Sequence, residues 1–371
     1  MMNDLGTMKR RDFLKTTAVT AAAGAALVGC GGETEGPAVQ TQPTVRWQLA
    51  SSYTQAVDIL WGNITGLAER VSQLTDGRFT IRPFQGGEIV PGLGVLDAVQ
   101  NGTVQAGQTA SYYYKGKNPV LAFDTAIPFG LTPRQHNAWM YHGGGSDLIG
   151  SAYADFNVLH FPCGNTGAQM GGWFRREINS LSDLRGLKMR IPGLGGEVMS
   201  RLGVTVQVLN PGEIYTALER GALDAAEWVG PYDDEKLGFH KVTRNYYYPG
   251  WWEPSASIAL LVNRQAYDAL PPTYQEALMT AAAEANSTML ARYDARNTEA
   301  LVRLIDQGVT PKPFPDDLME ASLTAAREVL DEQAAALPEY AAMLSAYRQW
   351  RTESFRWFTT AEQTYARFLP A

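Results

Sequence analysis

Four short segments carry most of the residues that could hold a small molecule. Residues 165–175 are rich in glycine, which lets a ligand approach the backbone closely. Residues 188–192 place an arginine at the end of a β-type run, and residues 224–228 place a carboxylate and a tryptophan at the end of another. Residues 246–254 contain five aromatic side chains and a further carboxylate. Because ligands of open α/β sheets bind at the carboxyl ends of strands, these segments predict a binding site.

The sequence gives little support for catalysis or for a zinc site. The four histidines form neither a His-x-x-x-His nor a His-Glu-x-x-His pattern, and the two cysteines, Cys30 and Cys163, form no pair. Neither a Gly-x-Ser-x-Gly elbow nor a P-loop is present. Residues 193–196 (Gly-Leu-Gly-Gly) lack the third glycine of a dinucleotide fingerprint. We therefore expect a binding protein rather than an enzyme.

The N-terminus has the pattern of an export signal. Two arginines, Arg10 and Arg11, precede Phe13 and Leu14, and residues 16–28 are uncharged and mostly apolar. As a helix this run reaches roughly 20 Å, which is short of the ~30 Å bilayer core, so we interpret it as a signal peptide and not a membrane span. The arginine pair resembles a twin-arginine signal.

A lipid anchor is predicted directly after the signal. Leu27-Val28-Gly29-Cys30 resembles a lipobox, in which Cys30 becomes the lipidated first residue of the mature chain; a soluble protein cut near the same place is the alternative. Residues 31–44 then predict a flexible tether. The whole chain carries a net charge of −7, and the first 30 residues are positive, so the body is acidic and is not expected to bind nucleic acid.

The body of the chain predicts an α/β fold with two related halves. Short β-type runs alternate with helical stretches from Val45 onward. Residues 91–108 align with residues 211–227 as helix, terminating glycine and short strand, although two unrelated helix ends would also look alike. The alignment makes Gln108 and Glu227 equivalent strand ends. Two lobes that face each other across a cleft are the expected arrangement, as in a hinged binding protein.

The last third of the chain is predicted to be helical. Residues 273–308 contain no proline, and a helix of that length reaches about 50 Å, enough to lie along both lobes. Residues 339–369 place apolar side chains at intervals of three and four in two groups, and most of them are aromatic: Tyr340, Leu344 and Tyr347, then Phe358, Ala361, Tyr365 and Phe368. Such a stripe packs on its own chain or on a partner, and we expect it to form a homodimer.

Several motifs together resemble the substrate-binding proteins of tripartite ATP-independent periplasmic (TRAP) transporters. They are the Lys-Met-Arg-Ile run at 188–191, the helix from Tyr215 into residues 221–227, and the Arg78-Phe79 pair after Thr75-Asp76-Gly77. Residues 167–175 and 250–254 are similar to the branch that binds 2-oxo acids, whose members include swapped dimers built by a C-terminal helix. The resemblance covers roughly residues 45–310.

The resemblance implies a two-lobed periplasmic-binding-protein-like fold with a long interlobe helix and C-terminal helices. The expected parts are a signal peptide (1–29), a tether (30–44), a first lobe (45–163), a segment mainly of the second lobe with hinge strands (164–262), a helix spanning both lobes (263–310) and C-terminal helices (311–371).

The resemblance also implies the site residues. Arg190 matches the arginine that grips a ligand carboxylate, a role that suits its planar fork of donors. Gln169, Glu227, the carbonyl of Trp228 and Glu253 match a cation site, and their oxygen donors suit Na⁺ or Ca²⁺ rather than zinc. Other interpretations make Glu227 only a partner of Arg190 and Glu253 a surface charge. The remaining ligand contacts are expected from Gln169, Trp228 and two tyrosines of the first lobe, Tyr53 and Tyr112, although both tyrosines could be purely structural.

Together these expectations describe an exported protein that captures a small 2-oxo or 2-hydroxy acid for the membrane subunits of a TRAP transporter. The membrane is contacted only through the lipid anchor. An exported cofactor-dependent enzyme and a ligand-sensing module are the alternatives.

Overall fold

The computed structural model describes residues 42–368, which form two β-sheets surrounded by helices. The signal peptide, nearly all of the tether and Cys30 lie outside the described residues. The strands are β1 (Val45–Ser51), β2 (Phe79–Phe84), β3 (Ala106–Thr109), β4 (Val158–Asn165), β5 (Trp173–Phe174), β6 (Lys188–Arg190), β7 (Thr205–Gln207), β8 (Ala225–Ala226), β9 (Asn245–Tyr248), β10 (Ser257–Asn263) and β11 (Thr310–Pro313). The helices are α1 (Asp58–Leu74), α2 (Val95–Gln100), α3 (Ala122–Thr125), α4 (Pro133–His142), α5 (Gly145–Ala154), α6 (Gly193–Arg201), α7 (Ile214–Glu219), α8 (Pro231–Leu237), α9 (Arg264–Asp268), α10 (Pro272–Asp306), α11 (Asp316–Ala336), α12 (Pro338–Phe358) and α13 (Thr364–Ala366). Within this part of the chain, no helix has both the length and the apolar character needed to cross a membrane.

The two sheets follow the same chain path, which confirms the internal repeat. The first sheet has the order β2-β1-β3-β10-β4, and β1 leads through α1 to the parallel strand β2. The second has the order β11-β9-β5-β8-β6-β7, and β6 leads through α6 to the parallel strand β7. In each sheet the next strand, β3 or β8, follows a short helix, α2 or α7. We call the first sheet with its helices the first lobe, and the second sheet with its helices the second lobe.

Three connections pass between the lobes: one is the helical segment with α9 and α10, which leads from β10 to β11, and the other two are short. Residues 166–172 lead from β4 to β5, and residues 249–256 lead back from β9 to β10. The strand that follows each short crossing, β5 or β10, runs antiparallel to both of its neighbours. The glycine-rich segment and the aromatic segment singled out in the sequence are therefore the two short crossings.

Helix α1 shows how the sequence builds the first lobe. Its buried residues recur at intervals of three and four: Ile59, Leu60, Asn63, Ile64, Leu67, Ala68 and Val71. The helix stops before Asp76 and Gly77, both of which have positive φ, at 51° and 73°. Leu60 on this face also reaches the cavity described below.

The long helix α10 contacts both lobes, as predicted. In its first half, Glu284 pairs with Arg70 of α1 at 2.8 Å. Near its end, Arg303 pairs with Glu235 of α8 at 2.7 Å. Helix α10 therefore connects the outer helices of the two lobes.

The aromatic stripe of the C-terminal region divides into a packed part and an exposed part. Tyr340 and Tyr347 of α12 are buried, and their rings lie 5.1 and 5.3 Å from the ring of Phe123. Further along, Tyr365 and Phe368 are 65% and 83% exposed. The first part thus stabilises the chain itself, and the second part is accessible to a partner.

Strand β11 is an element that the sequence analysis does not predict. It pairs in parallel with β9 at the edge of the second sheet and contains Pro311 and Pro313. Proline cannot donate to a neighbouring strand, so it is tolerated at a sheet edge but hides the strand pattern in the sequence.

Candidate functional site

Arg190 and Glu227 lie side by side at the ends of neighbouring parallel strands. Arg190 ends β6 and is paired with Ala226 of β8, and Glu227 follows directly. Nη1 of Arg190 donates to a side-chain oxygen of Glu227 and, at 3.2 Å, to its peptide oxygen. Both side chains are 1% exposed, so strand pairing creates a fully buried ion pair.

Half of the Arg190 fork is left without a partner. Within residues 42–368, neither Nε nor Nη2 of Arg190 has a hydrogen-bond acceptor. An unpaired buried donor costs about 1–3 kcal/mol, and more when it is charged. These two donors are therefore available to an anion.

Three buried side-chain oxygens near this arginine also have no partner among the described residues. They are Oε1 of Gln169, Oε2 of Glu227 and Oε2 of Glu253. The amide nitrogen of Gln169 donates to Oγ1 of Thr166 at 3.1 Å, which leaves its oxygen as the free end. Unpaired carboxylate and amide oxygens form the donor set that Na⁺ and Ca²⁺ prefer, so the residues fit such a cation.

Close backbone packing brings the two crossing segments together. The N–H of Gly250 donates to the peptide oxygen of Gln169 at 3.0 Å. A Cβ at position 250 would lie 2.7 Å from the peptide oxygens of Gln169 and Met170. Only glycine fits at position 250. The close contact places residues 249–256, which include Glu253, against residues 166–172, which include Gln169.

Burial makes the two carboxyl groups hard to ionise. It raises the pKa of Glu227 to about 7, although the Arg190 guanidinium acts in the opposite direction. Burial also raises the pKa of Glu253 well above its ordinary value, and the neighbouring Glu227 raises it further. The charge of the Arg190 guanidinium lowers the pKa of Glu253, but by less. One guanidinium thus faces two desolvated acids, and a cation would stabilise their charged forms.

A small cavity lies against this cluster. Its lining comes from both lobes and includes all five predicted ligand contacts: Tyr53, Tyr112, Gln169, Arg190 and Trp228. Glu227 and Glu253 are not part of the lining.

The indole of Trp228 links the second lobe to the first. Its ring centre lies 5.4 Å from the guanidinium carbon of Arg190, within cation–π range. It also meets the ring of Tyr53 edge-on, with the centres 6.3 Å apart. That the Trp228 carbonyl binds a cation stays a prediction.

Sequence reasoning missed several lining residues: Leu60, Tyr113, Thr166, Val229, Ala256 and Ile258. Tyr113 stood beside a predicted contact in a run of three tyrosines, and Thr166 stood three residues before Gln169.

Conversely, Gln108, the counterpart of Glu227, lies outside the cavity lining. Its amide oxygen accepts from the Ser51 hydroxyl at 2.8 Å, and its nitrogen donates to the Leu60 peptide oxygen at 3.0 Å.

The glycine-rich run at the start of α6 serves close packing. A Cβ on Gly193, which has φ +65°, would lie 3.3 Å from the Tyr112 ring of the opposite lobe. A Cβ on Gly195 would lie 2.6 Å from Cβ of Trp252. This packing explains the glycines without a dinucleotide.

The lobes are closed around the cavity. Lys236 of α8 pairs with Asp58 of α1 at 2.6 Å, and the Tyr232 hydroxyl donates to the same carboxylate at 3.0 Å. Lys115 of the first lobe also forms an ion pair with Glu197 of α6. We call the Asp58–Lys236–Tyr232 contact the α8 latch.

Zinc-type ligation finds no support in the described part of the chain. Between residues 42 and 368, no group of three or more His, Cys, Asp or Glu side chains is placed to hold a metal ion. The candidate cation donors instead combine two acids with an amide and, by prediction, a peptide carbonyl.

Comparison with known proteins identifies the family. The sequence profile described as bacterial extracellular solute-binding protein, family 7, matches residues 50–336. The chain belongs to this family. A profile of the twin-arginine translocation signal matches residues 7–26. Both matches confirm the predicted export signal and an extracytoplasmic location.

Individual relatives support the same assignment. A monocarboxylate 2-oxoacid-binding periplasmic protein of Nostoc sp. is 53% identical over 365 residues, covering 97% of this chain and 99% of the relative. A TRAP transporter solute-binding protein from Bordetella bronchiseptica, a mixed-occupancy dimer with calcium and picolinate, has a TM-score of 0.87 and 48% identity over 88% of this chain and 97% of its own. A TRAP periplasmic solute-binding protein from Pseudoalteromonas atlantica, with sodium and pyruvate, has a TM-score of 0.86 and 40% identity over 88% of this chain and 100% of its own. The predicted resemblance to TRAP solute-binding proteins is confirmed. Because family 7 consists of binding proteins, the expectation that the chain is not an enzyme agrees with the family and stays a prediction.

Proposed function

We propose that this solute-binding protein captures a small 2-oxo monocarboxylate of the pyruvate type, together with Na⁺ or Ca²⁺, for the membrane subunits of a TRAP transporter. One observation carries the proposal: a buried arginine with two unpaired donors lines a cavity together with Gln169, whose amide oxygen is also unpaired, and two further buried residues, Glu227 and Glu253, each have an unpaired carboxylate oxygen. The donors suit an anion, and the oxygens suit a cation. The relatives that contain a cation together with pyruvate or picolinate support this pairing.

The carboxylate is assigned to Arg190. Nε and Nη2 lie on one edge of the planar guanidinium, and that edge matches the two oxygens of a carboxylate. The other edge is already held by Glu227 through Nη1. The ion pair with Glu227 therefore orients the fork before the ligand arrives.

The cation is assigned to Gln169, Glu227 and Glu253, with the Trp228 carbonyl as a further candidate. With both acids ionised, the site holds two negative charges and one positive charge, and a monoanionic ligand adds a third negative charge. A divalent cation brings the total to zero, whereas a monovalent cation leaves one negative charge, so the charge balance favours Ca²⁺. When bound, the ion would supply a positive partner for the 2-oxo oxygen and one carboxylate oxygen.

The cavity favours a short acid. Its apolar lining residues, which include Leu60, Val229 and Ile258, offer no partner to a second charged group. Tyr53 and Tyr112 are assigned to cover the ligand from the first lobe.

The test is a thermal-shift screen of the mature protein, after dialysis against a chelator, with short oxo, hydroxy and dicarboxylic acids. Each acid is added without a cation, with Na⁺ and with Ca²⁺, and positive combinations are measured by calorimetry. We expect the largest shift with a 2-oxo monocarboxylate and Ca²⁺, because bound ligand stabilises the folded state by mass action. A dicarboxylate preference would contradict the ligand class, and cation-independent affinity would contradict the cation site.

Homodimerisation through the C-terminal region is a second part of the proposal. Trp357, Tyr365 and Phe368 are 62%, 65% and 83% exposed, and the Bordetella bronchiseptica relative is a dimer. Truncation after residue 354 is expected to give a monomer in light scattering; a dimer of unchanged size would contradict this part.

Lipidation of Cys30 is the third part, and it is supported by the Leu27-Val28-Gly29-Cys30 motif. Mass spectrometry of the exported protein tests it, with Cys30→Ser as the control. An unmodified mature N-terminus would contradict it.

A further inference from the structure

A buried aspartate lies directly behind the Trp228 indole. Oδ2 of Asp233, in α8, accepts from Nε1 of Trp228 at 3.2 Å and from the Tyr293 hydroxyl at 2.8 Å. Asp233 is 0% exposed, and Tyr293 belongs to the long helix α10. One carboxylate oxygen therefore joins the wall of the cavity to the helix that connects the lobes.

The neighbouring residue makes the same contacts at a different tryptophan. Oδ2 of Asp234 accepts from Nε1 of Trp173 at 2.9 Å and from the Tyr246 hydroxyl at 2.7 Å. Asp234 is 1% exposed. Trp173 lies in β5 and stacks on Tyr246, with ring centres 4.1 Å apart, and neither ring lines the cavity. The two aspartates are thus alike in burial and in their indole and tyrosine partners, but only the indole on Asp233 faces the ligand; Oδ1 of Asp234 also accepts from the Val229 N–H, at the long distance of 3.5 Å.

The contacts of Trp228 show what a fixed indole achieves. Its ring faces the Arg190 guanidinium at 5.4 Å and the Tyr53 ring at 6.3 Å. A rotation about the Trp228 side-chain bonds would remove the ring from the guanidinium and would open the contact between the lobes. The bond to Asp233 is the polar contact that restrains this rotation.

We propose that Asp233 is a positioning residue of the ligand site, which fixes the Trp228 indole and, through it, the Arg190 fork and the contact with Tyr53. The proposal rests on the proposed function, because Arg190 and Trp228 are assigned to the ligand there. Asp233 does not touch the ligand. Its partner Tyr293 ties the same carboxylate to α10, so the position of the cavity wall depends on the long helix.

The test compares Asp233→Ala with its matched control Asp234→Ala. Both changes remove a buried acceptor shared by an indole and a tyrosine, so we expect similar losses of thermal stability. Affinity for pyruvate with Ca²⁺ should fall about tenfold for Asp233→Ala, since the lost cation–π and interlobe contacts are together of that size, and should stay within about twofold for Asp234→Ala. Asp233→Asn keeps an acceptor oxygen and should retain most of the affinity. In a Trp228→Phe background, which has no indole N–H, Asp233→Ala should add no further loss.

A second measurement needs no ligand. The indole ¹H–¹⁵N signals of Trp228 and Trp173 are assigned from the Trp→Phe variants and are followed in each Asp→Ala protein. Asp233→Ala should shift and broaden the Trp228 signal alone, and Asp234→Ala the Trp173 signal alone. An unperturbed Trp228 signal in folded Asp233→Ala would overturn the proposal. Equal loss of affinity in the two Asp→Ala variants would also overturn it, because the effect would then be general destabilisation. Failure of the wild-type protein to bind any 2-oxo acid would contradict the proposed function instead, and the indole signals would still decide whether Asp233 fixes Trp228.

Discussion

Replacing Arg190 by lysine keeps a positive charge at the end of β6 but removes the planar guanidinium. A lysine ammonium can still pair with Glu227, whose oxygen now accepts from Nη1. It cannot present the parallel pair of donors, Nε and Nη2, that has no partner within the described residues. The change therefore tests the paired donors of the guanidinium separately from its positive charge.

The expected magnitude follows from the number of hydrogen bonds lost. A hydrogen bond to a charged group contributes about 1.5–3 kcal/mol, and the lysine loses at least one of the two. A loss of about 2 kcal/mol corresponds to a roughly 30-fold higher Kd. Arg190→Met is a poorer test, because it leaves Glu227 buried without its partner and would destabilise the fold by about 3–5 kcal/mol.

Calorimetry with pyruvate and Ca²⁺ measures the effect, and thermal unfolding checks the fold. The matched control is Arg201→Lys in α6 of the same lobe, since Arg201 pairs with Glu332 at a partly exposed position. Its Kd should not change, because exposed ion pairs contribute about 0–1 kcal/mol to stability and this one is remote from the cavity. A Kd of Arg190→Lys within threefold of the wild-type value would refute the role assigned to the fork.

Three further predictions test the cation, the closure and the acid response. Glu253→Gln removes one of the two site charges and should lower the affinity measured with Ca²⁺ about tenfold, but the affinity measured with Na⁺ less; equal losses in the two titrations would argue against the charge balance. Lys236→Met removes the ion pair of the α8 latch and leaves its Tyr232–Asp58 hydrogen bond, so its Kd at low salt should rise by up to about fivefold, and salt should affect it less than the wild-type protein; an equal salt response in both proteins would show that this ion pair does not support closure. Burial lowers the pKa of His136 to about 4, so its folded form stays neutral while the unfolded chain binds a proton below about pH 6.5. Stability should therefore fall as the pH drops from 6.5 towards 4, by about 2 kcal/mol at pH 5, and urea unfolding of His136→Gln should lack this part of the loss; an identical pH dependence in the two proteins would contradict it.

Helices with regularly spaced apolar residues, or with residues that mark a helix end, were predictable from the sequence. Helix α10 lies within two residues of the proline-free run 273–308, because the prolines before it are a local signal, although the expected interlobe segment, 263–310, also contains α9 and the first residue of β11. The repeat was predictable because both halves use the same helix, glycine and strand. Strand β11 was not, since its prolines mask a strand that exists only through its pairing with β9.

The site was predictable where strand ends or family resemblance marked it. The structure places Arg190, Gln169 and Trp228 at one cavity, with both predicted tyrosines. The apolar lining carried no local signal, because helices and strands of either lobe present many such side chains and only their packing selects which ones face the cleft. Asp233 escaped notice for a related reason: its partners are 5 and 60 residues away in the chain.

The two lobes differ in the side chain that they place at the end of equivalent strands. Within residues 42–368, the side chain of Gln108 forms hydrogen bonds only with Ser51 and Leu60 of its own lobe, whereas the Glu227 carboxylate forms an ion pair with Arg190. In the proposed site, charge recognition is therefore confined to one half of the molecule, and the other half contributes the aromatic residues assigned to cover the ligand. Substitutions in residues 111–114, which follow β3 and contain three tyrosines, would therefore change which acid fits the site. Such substitutions bury no new charge and leave Arg190 and its contacts as they are.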